Sequence, residues 1–85
     1  MYKITLTRNA AKDLRKAPKQ MQTRIDAALQ KLAADPDRQD IDAKRLQGVA
    51  AFRLRVGDWR VIYVREDVIR IIEVQRIAPR GDVYR

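Results

Sequence analysis

The stretch FRLRVGDWRVIY, residues 52–63, decides the fold. Phe52, Leu54 and Val56 alternate with Arg53 and Arg55, the period-two signature of a strand with one apolar face and one cationic face. Gly57 and Asp58 supply a tight turn, and residues 59–64 return as a second strand, so the segment reads as a β-hairpin. Downstream, Arg65, Glu66 and Asp67 make the next turn. Residues 68–77 then predict a third strand, because their β-branched side chains suit a pleated, largely buried site.

Upstream of the hairpin the period changes. Tyr2, Ile4 and Leu6 alternate with Lys3, Thr5 and Thr7, predicting a strand with one wet face. Thr7 can cap a helix that starts near Arg8 and runs through Leu14 toward Ala17. Pro18 suits the first turn of a second helix, where its missing amide hydrogen costs little. Met21, Ile25, Ala28, Leu29 and Leu32 then recur at spacings of three and four, an apolar stripe that Asp35 and Pro36 end. The short join at Ala17 and Pro18 predicts an antiparallel helical hairpin. Residues 35–44, rich in aspartate, read as a connecting loop, and Leu46 and Val49 around Gly48 return the chain to the core. The order strand, helix, helix, strand, strand, strand gives an α+β fold. A helical hairpin would pack on one face of a sheet completed by a three-stranded antiparallel meander, all in one domain.

Composition narrows the chemistry. The 85 residues hold 19 Lys and Arg against 11 Asp and Glu, a formal charge of +8 that points to an acidic partner. There is no Cys and no His, so neither thiolate nor imidazole is at hand to ligate zinc, attack a substrate or move protons near neutral pH. Asp58, Glu66, Asp67 and Glu73 form no evident pair for two-metal or carboxylate acid–base work, and neither a metal nor a cofactor is expected. The lack of Cys argues against a disulfide scaffold. The cationic residues through Lys19 interrupt any signal peptide, and the expectation is a cytoplasmic protein.

After Gly48 every cationic residue is an arginine, the side chain whose planar fork grips two phosphate oxygens and stacks on bases. Arg53, Arg55 and Arg60 lie on adjacent strands, where like charges normally avoid one another; as a set they suggest a polyanion site. Trp59, Tyr63 and Phe52 occupy apolar strand positions and read as packing residues, whereas Tyr84 near the end of the chain could stack on a base.

With Leu46-Gln47-Gly48 ahead of it and IAPRGDVYR, residues 77–85, behind it, the 52–63 hairpin resembles the RelE/ParE superfamily of type II toxin–antitoxin toxins. The resemblance runs from the first strand to the last residue. It implies the RelE-like fold and a toxin that enters the ribosomal A site and cuts mRNA by attack of the ribose 2′-oxygen on the adjacent phosphate. Matched by position, Arg53, Arg55 and Arg60 would hold the scissile phosphate. Arg80 or Arg76 would match the carboxyl-terminal arginine, and Tyr84 the terminal tyrosine; Arg76, Lys44 and Arg45 would serve as RNA-binding residues. Two departures stand out. RelE carries lysines where this chain has Arg53 and Arg55, and arginine, with a pKa above about 12, is a poor proton shuttle. Pro79 replaces the histidine that some relatives carry. The alternative is the ParE branch, which shares the fold and poisons DNA gyrase without cutting RNA. Either branch implies a cognate antitoxin, an acidic segment with an amphipathic helix that wraps the toxin, and DNA contact only through that antitoxin.

Overall fold

Thr7 turns the first strand into the first helix. The structure, a computed structural model, describes residues 1–79. In it β1 (Lys3–Leu6) is followed at once by α1 (Arg8–Lys16). The Thr7 hydroxyl accepts from the Ala10 amide at 3.1 Å, capping α1, and donates to the Gln75 carbonyl at 3.0 Å. One side chain thus satisfies a helix end and fixes it to a distant strand.

Only Ala17 and Pro18 separate α1 from α2 (Lys19–Ala34), with Pro18 at the N-cap just before the first turn. Ile25, Leu29 and Leu32 of the predicted stripe are buried, and Met21 and Ala28 pack partly against them. They meet Leu54, Val61, Tyr63, Ile72, Val74 and Ile77 from the sheet, each large side chain stabilising the fold by roughly 1.5–3 kcal/mol on burial. Phe52 stacks on Tyr63 with ring centroids 5.4 Å apart.

The sheet has five strands, in the order β1-β5-β4-β3-β2. Beyond β1 these are β2 (Asp42–Arg45), β3 (Phe52–Val56), β4 (Trp59–Glu66) and β5 (Ile71–Pro79). The meander of β3, β4 and β5 is antiparallel as expected, but β1 joins β5 in parallel, so the sheet is mixed. Four expectations need correction. Val49 does not return the chain to the core, being 55% exposed. Residues 35–44 are not all loop, because β2 begins at Asp42 and pairs with β3. Ala43 is the sole apolar residue of that strand, so no alternation reveals it, and its charges suit an exposed edge. Arg65 and Glu66 belong to β4 and not to the turn, pairing with Ile72 and Ile71. The third strand of the meander therefore starts at Ile71, not Val68: Val68 and Ile69 are exposed in the turn, and Arg70 closes it with φ 54°. Their β-branched side chains favour a strand, but the chain must reverse there to close the hairpin.

Two further details position the site. Ile62 pairs with Arg76 while Tyr63 pairs with Val74, leaving Gln75 as the extra residue of a β-bulge. The bulge lets Val74 and Ile77, three residues apart, both face the core and turns Arg76 to the opposite face. Arg65 reaches Asp37 at 2.9 Å and Asp67 at 2.8 Å and lies over the rings of Tyr2 and Phe52, tying the loop after α2 to the β4–β5 turn. Among the described residues, no helix is long and apolar enough to cross a membrane.

Candidate nucleic-acid interface

Because Leu54 and Val61 face the helices, their strand neighbours face away from them. Register then assembles the outer face. Lys44 stands opposite Arg53, Arg53 opposite Ile62, Arg55 opposite Arg60, and Ile62 opposite Arg76. Five cationic side chains from four strands thus share one surface. Gly57 makes the geometry possible. It carries φ 60° and begins the two-residue loop that brings Val56 opposite Trp59, a conformation that favours glycine.

The five cations are held differently. Arg53 donates from Nη2 to Asp42 Oδ1 at 3.1 Å, with its side chain 12% exposed. Arg76 donates from Nε to Asp13 Oδ2 at 2.9 Å, and this hydrogen bond raises its pKa above the ordinary arginine value. Arg55 and Arg60 instead fold back onto the turn: Arg55 Nε donates to the Gly57 carbonyl and Arg60 Nη1 to the Asp58 carbonyl, both at 3.1 Å. Among the described residues, neither meets a carboxylate within ion-pair distance. Two facing guanidinium groups with neutral partners repel each other until an anion lies between them. Such a centre can orient a phosphodiester and stabilise negative charge that builds up on it.

The structure brings Arg53, Arg55, Arg60, Arg76 and Lys44 together and leaves Arg45 apart. Arg45 pairs in register with Phe52 and therefore lies on the inner side. There it lines a cavity of about 250 Å³ with Phe52, Tyr63 and Arg65. Arg80 and Tyr84 lie outside the described residues. Sequence reasoning missed Asp13, an isolated acid on α1 that meets Arg76 only after folding. It also missed Arg24 on α2, whose guanidinium lies 3.1 Å from where a Cβ on Gly57 would sit.

Residues 4–84 match the family model described as ParE toxin of type II toxin-antitoxin system, parDE. The chain is similar to the archaeal RelE in the RelE–RelB complex of Pyrococcus horikoshii. The identity is 28%, with 95% of this chain and 97% of that one covered and a TM-score of 0.81. It is similar at 25% identity to a chain of the RelBE2 toxin–antitoxin complex of Mycobacterium tuberculosis, covering 93% and 98% with a TM-score of 0.76. The isolated RelE toxin of E. coli shares the fold at 18% identity, covering 99% and 92% with a TM-score of 0.79. No curated protein matches the sequence.

Proposed function

Because the chain belongs to the ParE toxin family of type II toxin–antitoxin systems, we propose that it is a ribosome-dependent endoribonuclease that cuts mRNA in the A site. The supporting observation is the facing pair Arg55 and Arg60, set within a five-cation surface and free of carboxylate partners among the described residues. In the cleavage the 2′-hydroxyl gives up its proton as its oxygen attacks the adjacent phosphorus, the bond from phosphorus to the 5′-oxygen breaks, and the 5′-oxygen takes up a proton. A 2′,3′-cyclic phosphate and a 5′-hydroxyl result. No protein nucleophile is needed. Arg55 and Arg60 hold the non-bridging oxygens and offset the charge of the pentacoordinate state, while Arg53, Arg76 and Lys44 bind the flanking backbone.

Primer extension on a message under translation tests this reading. Discrete cuts are expected with the wild type and not with Arg60→Ala. The resemblance adds Tyr84 to the site, and comparing single-turnover pH profiles of wild type and Tyr84→Phe separates a need for the hydroxyl from a need for the ring. The second reading, a toxin that poisons gyrase without cutting, draws on the arginine-only hairpin, whose guanidinium groups are poor proton shuttles. Inhibition of gyrase supercoiling with translated mRNA left intact would establish it and overturn the first.

The cognate antitoxin is an acidic segment with an amphipathic helix that covers the cationic face. The charge of +8 and the RelB-type complexes among the similar structures support this. Binding of a co-expressed acidic partner without loss of toxin activity would count against it.

A further inference from the structure

We propose that Asp13 on α1 is a positioning residue of the cationic face, holding Arg76 by Nε so that its terminal amino groups are offered to a phosphate. The proposal rests on the reading of this face as an RNA-phosphate site. Asp13 Oδ2 accepts two hydrogen bonds, one from the Ile77 amide and one from Arg76 Nε, each 2.9 Å. The Ile77 amide lies on the stretch of β5 past Val74, where the pairing with β1 has ended, so the carboxylate also satisfies an open strand edge. Asp13 is 18% exposed and Arg76 50%; the anchor is partly buried and the cation is presented. Among the described residues, the Arg76 terminal nitrogens have no hydrogen-bond partner. Arg60 lies opposite Ala78 and Ile62 opposite Arg76. Arg76 is therefore the diagonal neighbour of Arg60, about 7–8 Å away and within reach of a long side chain.

An acid beside a nucleic-acid site can instead act as a plain competitor for the arginine, and the two roles have opposite signs. Deleting a competitor tightens binding of a polyanion. Deleting a positioning anchor loosens it, although the protein has become more positive.

The test is fluorescence anisotropy of a short labelled single-stranded RNA with the purified chain, run across a salt series. Arg76→Ala is expected to weaken binding roughly threefold or more. Asp13→Asn keeps a carbonyl oxygen at the position that accepts both bonds and loses the charge, which weakens the hold on Arg76 Nε; it is expected to weaken binding, by less than Arg76→Ala. In the Arg76→Ala background, Asp13→Asn is expected to leave binding unchanged or slightly tighter, the non-additivity of a coupled pair. Tighter binding by Asp13→Asn in the otherwise wild-type chain overturns the proposal. Weaker binding by Asp13→Asn with full affinity in Arg55→Ala/Arg60→Ala keeps the role of Asp13 and overturns the Arg55–Arg60 site. No binding of the RNA by wild type overturns both. If Asp13→Asn does not fold, Arg76→Lys carries the test. An ammonium keeps the charge but cannot be held at one nitrogen and presented at two others, so Arg76→Lys should bind more weakly than wild type, and full affinity overturns the proposal.

Discussion

Arg55 and Arg60 stand opposite each other across the β3–β4 hairpin, and each guanidinium is folded onto a carbonyl of the turn between them. The arrangement costs stability in the free protein, since like charges directly opposite are unfavourable by a few tenths of a kcal/mol or more. An anion converts that cost into affinity. Arg60→Ala should therefore leave the protein at least as stable, Arg55→Ala nearly so because Asp42 stands opposite it on β2, and both should weaken RNA binding. Each should also lower the slope of log affinity against log salt by about 0.7 per lost phosphate contact on a single strand. Parallel urea melts and salt titrations check both halves.

Gly57→Ala should destabilise the fold by about 1–2 kcal/mol. The new methyl group would occupy a residue at φ 60° and sit 3.1 Å from the Arg24 guanidinium. Urea denaturation measures the loss, and a wild-type midpoint would show that the turn does not depend on glycine.

The opposite exchange applies at the other end of β4. Arg70 holds φ 54° while its carbonyl accepts from the Lys3 amide at 2.9 Å. Arg70→Gly keeps that carbonyl and relieves the backbone, and it should change stability by no more than about 1 kcal/mol, toward stabilisation. A clear loss in the thermal melt would mean that the arginine side chain holds the turn.

Thr7→Ala removes both the α1 cap and the donor to Gln75. It should cost about 1–2 kcal/mol, and Thr7→Ser should recover most of it because the hydroxyl remains. Amide exchange at Ala10 reads the cap directly.

Burial pushes the Tyr63 hydroxyl from its ordinary 10.0 up to about 12. A pKa raised by folding gives stability that is complete below the unfolded value and lost as pH rises through the folded one. Stability should thus decline between about pH 10 and pH 12, and Tyr63→Phe, which keeps the stack on Phe52, should remove that part of the decline. The same slope in both proteins would assign it to other groups.

How much was legible in the sequence differs by element. The hairpin of residues 52–63, the Thr7 cap and the α2 stripe were readable because each depends on neighbours within a few residues. Arg53, Arg55 and Arg60 were readable as one face for the same reason: a tight turn fixes register across its own strands. β2 was not readable, since an edge strand with three charged residues and the single apolar Ala43 carries no hydrophobic period. The exposed Val68 and Ile69 misled in the opposite direction, as apolar composition does not reveal where a hairpin must reverse.

Arg76 marks the boundary between the two kinds of information. Counted from Ile72 and Val74, strict alternation would place it in the core, and the Gln75 bulge places it on the outer face instead. Its meeting with Asp13 joins residues 63 apart in the chain. The sequence by itself determined the local periods, the caps, the hairpin and the charge. Only the tertiary structure decided the parallel pairing of β1 with β5, the bulge and the partner of Arg76. The physical reason is that these depend on which backbone groups remain unpaired once distant segments meet, a condition that no local pattern encodes.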